Sequence, residues 1–138
     1  MYKTILITLD GTATDRAIIE HIKPLAKQMR SRIVLLHVVT GVPAKVHGTD
    51  AAGKEVADSQ ANLDQVRAEF TAAGIAADTE LAYGEPVREI VHWVQRNNPD
   101  LVAMSTHGHH FMADLVLGTT AIRVQHSINV PVLLLRAK

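Results

Sequence analysis

Cysteine is absent from this chain, so no disulfide framework and no thiolate metal site exists, a lack that fits a reducing compartment. An excess of either charge is missing too: 14 Lys and Arg stand against 14 Asp and Glu, for a net charge of zero with histidines neutral. No broad basic field points to nucleic acid, and no polybasic tract points to a membrane surface. The apolar runs are strand-length, far short of the roughly 20 residues of a membrane span. The opening Met1-Tyr2-Lys3-Thr4-Ile5-Leu6-Ile7 passes straight into strand-like sequence without a small-residue cleavage region. These absences predict a soluble, cytoplasmic protein with neither nucleic-acid nor membrane partners. Common catalytic signatures are also lacking. There is no Gly-Lys-Ser/Thr of a P-loop, no dinucleotide G-x-G-x-x-G and no G-x-S-x-G elbow.

What is present is alternation. At 138 residues the chain has the length of one domain, 1–138, and a domain of this size buries roughly 68–70% of its unfolded surface. Ile5-Leu6-Ile7-Thr8-Leu9 is near-continuously apolar, as suits a strand covered on both faces. Thr12 reads as the cap of a helix, with Asp15 completing a variant capping box. Ile18, Ile22, Leu25 and Met29 form that helix's buried stripe, and Pro24 inside it predicts a kink or shifted ends. Residues 33–39 form a second strand. Residues 40–53 carry no periodicity, and loops this long are usually functional or mobile. Val56, Leu63, Val66 and Phe70 mark a second helix closed by Gly74. A weak strand over 77–81 follows, then a turn with Pro86 at a first helical position, a helix carried by Val87, Ile90, Val91 and Val94, and a strand over 101–104. Trp93 falls at helical spacing with Glu89, on a side read as partly exposed, and Asp58, Asp64, Arg67 and Glu69 read as a solvated face. A last helix runs over about 119–127 and a fifth strand over 130–135. This order predicts an α/β fold: a single five-stranded parallel sheet with helices on both faces.

Chemistry is concentrated after the fourth strand. Ser105-Thr106-His107-Gly108, nine residues, then Gly118-Thr119 join a buried strand to a helix. Backbone N–H groups at such a loop and the helix dipole favour an anion, and Thr119 and Thr120 offer hydroxyls there. An ordinary strand-to-helix connection with a threonine cap reads equally well from spacing alone. No lysine lies between residues 104 and 136, so the usual point charge for a transferring phosphate is missing. Asp10, just past the first strand, is placed to bind a ribose hydroxyl or a metal on phosphates, or to be a plain Asp-Gly turn residue. His107, His109 and His110 flank Gly108; phosphate contact by His109 is favoured over zinc, since cysteine is absent and the loop has no carboxylate before Asp114. His37 reads as a satisfied strand-end histidine.

These features together resemble the universal stress protein family, along essentially the whole chain. The opening strand with Leu9-Asp10-Gly11-Thr12, then Leu35-Leu36-His37-Val38-Val39, Gly84-Glu85-Pro86, Pro99-Asp100-Leu101 and the ending from Gly118 to Leu134 match that family in kind and order. Its ATP-binding branch carries Gly-x-x-Gly, nine residues, then Gly-Ser/Thr. Gly108, Gly118 and Thr119 match this, and Ser105 stands in place of the first glycine. Phe111 stands where a small residue is common. The resemblance implies a Rossmann-like sheet of order 3-2-1-4-5 and ATP, or another adenine nucleotide, with Mg²⁺ that Asp10 helps hold. It implies that Thr8, Asp10 and Val38 line the adenosine side, with Met104 at the fourth strand's end. Ser105, His107, Gly108, His109, Gly118, Thr119 and Thr120 would then surround the phosphates. It implies a homodimer through 130–135, where an apolar edge strand needs a cover. The expected function is a dimeric, nucleotide-binding sensor of the stress response, at most a slow ATPase. The alternative is a protein-interaction module of the same fold that binds no nucleotide and meets a signalling protein through its dimer and the 40–53 segment.

Overall fold

The computed structural model describes residues 1–40, 50–106 and 114–137, with side chains for all of these except 50–52 and 114–119. Strands and helices alternate: β1 (Thr4–Leu9), α1 (Asp15–Met29), β2 (Arg32–Val39), α2 (Asp50–Ala72), β3 (Ala77–Tyr83), α3 (Pro86–Asn97), β4 (Leu101–Thr106), α4 (Asp114–Ser127) and β5 (Val132–Arg136). The strands form one parallel sheet in the order β3-β2-β1-β4-β5, as expected.

Period-two alternation divides the strands between two cores. Ile5, Ile7 and Leu9 of β1, with Ile33, Leu35, Leu101 and Ala103, pack against Ile18, Ile19 and Ile22 of α1 and Leu63, Val66 and Phe70 of α2. Leu6, Val34, Leu36, Val102 and Met104 face the other way, onto Val87, Ile90, Trp93 and Val94 of α3 and Ala121 and Val124 of α4. Each fully buried aliphatic side chain contributes about 1.5–3 kcal/mol relative to exposure. Both faces are therefore paid for by burial, and the central strands read as continuous apolar runs for that reason. At the amino end of the sheet the Asp100 carboxylate accepts from the N–H groups of Lys3 (2.9 Å) and Thr4 (2.8 Å), which ties β1 to the start of β4.

Several elements differ from their sequence-based bounds. Helix α1 runs through Pro24, which lies with Glu20 on the exposed side of the helix, where a carbonyl left without a donor can be hydrated, so the helix is not ended there. Helix α2 begins at Asp50, inside the segment read as aperiodic. Helix α4 begins at Asp114, so Gly118 and Thr119 lie within the helix and not at its entry. A glycine inside a helix costs only about 1 kcal/mol, which tertiary packing readily overrides. Trp93 is 6% exposed, buried in the α3–α4 core and not on a partly exposed side. Its neighbours in the stripe are Ile90 and Val94, and an indole that large is drawn into the core by its area. Glu69 is not simply solvated: it accepts from both Arg16 guanidinium nitrogens at 2.9 Å and pairs with Lys23 at 3.3 Å, clamping α2 to α1. Gly74 closes α2 with φ +83°, as its position predicted. No helix among the described residues is long and apolar enough to cross a membrane.

Candidate functional site

The carboxyl ends of β1, β2 and β4 meet the turn that enters α1 and the side of α4. Ligands of open α/β sheets bind outside these strand ends, where the strand order reverses. The reversal here lies between β1 and β4.

The turn is built around two carboxylates. Asp10 Oδ1 accepts from the Thr12 N–H (2.9 Å) and Thr12 Oγ1 (2.6 Å), a local Asx arrangement. Gly11 takes φ +82°, a left-handed conformation that glycine adopts without steric cost. Asp15 is buried, and its two oxygens accept from the N–H groups of Asp10 (3.1 Å) and Gly11 (2.9 Å). The predicted capping box is thus replaced. Thr14 is the N-cap of α1 and makes no side-chain cap bond, while Asp15 reaches back to hold the preceding loop. Burial, and then the negative charge of Asp10, push the Asp15 carboxyl up to about 7.

A cavity of about 330 Å³ opens beside this turn. Among the residues singled out from sequence, Thr8, Asp10, Val38, Met104, Ser105 and Thr120 all line it. Gly118 and Thr119 belong to α4. His107, Gly108, His109, His110 and Phe111 lie outside the described residues, as does most of the 40–53 segment. Three titratable lining residues escaped the sequence reading as site residues: Asp15, His37 and Glu55. Asp15 was assigned to a cap and Glu55 to no role, because neither stands at a strand end.

His37 departs from expectation more sharply. Its Nδ1 is buried without a hydrogen-bond partner, so it is not a satisfied strand-end histidine. Burial lowers its pKa, opposed by the carboxylates of Asp10 and Glu55, and so favours the neutral ring. Ser105 Oγ is likewise buried and without a partner. A buried polar group left unpaired costs about 1–3 kcal/mol, so both atoms are places where a ligand gains on binding.

Among the described residues the wall carries the carboxylates Asp10, Asp15 and Glu55 and no lysine or arginine. An adjoining, more open recess shares Asp10, His37 and Glu55 and adds Gly11 of the turn and Lys54 and Asn62 from α2. No group of three metal-ligating side chains converges among the described residues.

This is a doubly wound parallel α/β protein with a partly polar crevice at its topological switch point. The chain belongs to the universal stress protein family, whose model matches residues 1–136. It is 27% identical to universal stress protein MJ0531 of Methanocaldococcus jannaschii, over 99% of this chain and 83% of that one. It is 31% identical to universal stress protein Slr1230 of Synechocystis, over 96% of this chain but only 42% of that longer protein. Among solved structures, the protein MJ0577 superposes with a TM-score of 0.87 at 24% identity, covering 100% of this chain and 98% of that one. A universal stress protein in complex with cAMP superposes at 0.78, with 17% identity and 99% of each chain covered. One from Archaeoglobus fulgidus in complex with dAMP superposes at 0.72, with 14% identity, covering 96% of this chain and 97% of that one. At these identities the superpositions establish the fold.

Proposed function

We propose that this chain is an adenine-nucleotide-binding regulatory protein of the stress response that works as a dimer and senses its ligand without turning it over. The observation that carries this reading is the cavity at the carboxyl ends of β1, β2 and β4, which gathers Thr8, Asp10, Val38, Met104, Ser105 and Thr120 into one wall. Two solved relatives of the same fold hold cAMP and dAMP. The residues present fit such a guest. Leu36, Val38, Ile90 and Met104 offer apolar surface to a flat base. Asp10 and the unpaired Ser105 Oγ and His37 Nδ1 offer polar partners to a sugar and phosphate. Asp10 is the carboxylate that would help hold a phosphate-bound Mg²⁺; the ion would arrive with the nucleotide, since no group of three or more metal-ligating side chains converges among the described residues.

The lack of a lysine between residues 104 and 136 supports sensing over phosphoryl transfer, which depends on such charges. The dimer is proposed through β5, an edge strand on which Leu134 is exposed.

The test is direct. Small molecules extracted from the purified protein are identified by mass spectrometry, and thermal melts are recorded with Mg-ATP, AMP and cAMP. An adenine nucleotide at 100 times its Kd adds about 2.7 kcal/mol to stability and raises Tm by several degrees. No co-purified nucleotide and no shift at millimolar ligand would refute the reading.

A further inference from the structure

Strand β3 is the edge of the sheet opposite β5. Its parallel register with β2 is unbroken over seven residues, from Ala77 beside Ile33 to Tyr83 beside Val39. The flanking bonds fix which backbone groups that ladder uses. The Ile33 N–H donates to the Ala76 carbonyl at 2.9 Å, and the Gly84 N–H donates to the Val39 carbonyl at 3.1 Å. Successive residues of a strand turn their N–H and C=O groups to opposite sides. Asp78, Glu80 and Ala82 therefore bond to β2, while Ala77, Thr79, Leu81 and Tyr83 turn theirs to the open edge. The carbonyl of the first outward residue is capped: Arg67 of α2 reaches over the edge, and its Nε donates to Ala77 at 2.9 Å. Among the described residues nothing bonds the backbone N–H and C=O groups that Thr79, Leu81 and Tyr83 turn outward. Gln60 of α2 meets only the Thr79 hydroxyl, at 3.4 Å. Natural edges are blunted by proline, lysine, a bulge or shortness. Strand β3 has no proline, lysine or bulge, and its seven residues exceed the usual length of about 5–6.

We propose that the carboxyl half of β3, from Thr79 to Tyr83, is a docking edge that accepts an extended cationic segment of another protein as an added strand. Main-chain bonds to the outward N–H and C=O groups supply the affinity, and alternate side chains supply the selection. The two faces of β3 differ. Leu81 packs onto the core beneath α1 and α2, and Tyr83, of the same parity, is 50% exposed. On the other face Asp78 and Glu80 are exposed. Asp78 pairs with Arg32 at 2.6 Å, and Glu80 has no ion pair among the described residues. A strand laid along this edge sets every second side chain beside Leu81 and Tyr83 and the others beside Glu80. The matching segment alternates apolar residues with lysine or arginine. A second copy of this chain is a poor occupant, because two-fold pairing of β3 with itself brings both acidic rows onto one face. Neither cavity described above is lined by β3, so this surface is separate from the proposed nucleotide site and does not rest on that reading.

The test uses the full chain and two acetylated, amidated peptides of about seven residues, one alternating valine with lysine and the other valine with glutamate. Amide hydrogen exchange is followed residue by residue by NMR, and affinity by titration. Without peptide, the amides of Asp78, Glu80 and Ala82 are expected to exchange slowly and those of Thr79, Leu81 and Tyr83 fast. Saturating lysine peptide slows the latter three by about tenfold or more. The glutamate peptide binds about fivefold more weakly. Two variants separate strand pairing from general charge attraction. Thr79→Pro deletes one outward N–H and leaves the bonds to β2 in place, a change that edge strands tolerate. It weakens the lysine peptide by about tenfold. Glu80→Lys leaves the backbone intact and reverses the preference between the two peptides. The proposal is overturned by outward amides already protected in the free protein, or by a lysine peptide that fails to bind or binds without slowing them. Equal affinity for both peptides, an unchanged preference in Glu80→Lys, or full binding by folded Thr79→Pro overturns it too. Should Thr79→Pro lose its fold by circular dichroism, Glu80→Lys and the exchange pattern decide.

Discussion

Burial under the turn raises the proton affinity of the Asp15 carboxyl. Its carboxyl is buried against the charge of Asp10 and lifted from the ordinary 3.8 to about 7, while accepting two backbone N–H bonds that stabilise its ionised form. The sign of the linkage follows. Between those two values the native state binds more protons than the unfolded chain, so stability falls as pH rises. The contribution is fully present below the unfolded value and lost as pH climbs through the native one. Asparagine keeps one acceptor for the loop N–H groups and turns a donor toward Asp10, mimicking the protonated acid. Asp15→Asn is expected to flatten the dependence of Tm on pH between 5 and 8 and to raise Tm at pH 8 by about 3–6 °C, read by calorimetry across that range. A slope equal to that of wild type would remove Asp15 as its source. At this scale the sequence singles out Asp10, which follows a strand and precedes glycine, and leaves a turn role beside a binding one. It hides Asp15, whose type and spacing fit a helix cap equally well. Only the burial of its carboxylate under the turn separates the two.

Helices and strands carry their own signals, and their errors have identifiable causes. The buried stripes of α1 and α2 and the apolar runs of the central strands follow from period and composition. The start of α3 is readable in the same way: Glu85 accepts from the Arg88 N–H at 2.8 Å and Pro86 opens the helix, a cap of about 1 kcal/mol. The starts of α2 and α4 are not, because Gly53 and Gly118 read as breaks while the helices continue through them. Trp93 was misplaced since spacing alone does not say how wide a stripe the sheet covers. With Trp93 in the core, Trp93→Ala is expected to cost about 3–5 kcal/mol, seen as a lower urea midpoint. A loss under about 0.5 kcal/mol, the range of surface substitutions, would return the indole to the exterior.

At the scale of the whole molecule, β5 is an edge of the sheet, with no strand paired beyond it among the described residues. Leu134 is 40% exposed and Ile122, on the helix before it, is 52% exposed. An exposed apolar edge strand invites pairing, and the proposed dimer covers it. Leu134→Lys is expected to yield monomers in sedimentation equilibrium and to make the urea midpoint independent of protein concentration, with the isolated fold intact by circular dichroism. A variant that sediments as the wild type does would move the interface elsewhere.

By itself the sequence determined the alternation of strands and helices, the parallel sheet with both faces covered, and the family, because these rest on periodicities and motifs written along the chain. Resemblance supplied the strand order, which the structure bears out. Only the tertiary structure decided which polar atoms lack partners and which side chains share one wall. His37 and Ser105 stand on strands separated by β1, and Asp15 and Glu55 reach the cavity from two different helices. Burial and hydrogen-bond satisfaction depend on what packs across the sheet, and no local window of sequence contains that information.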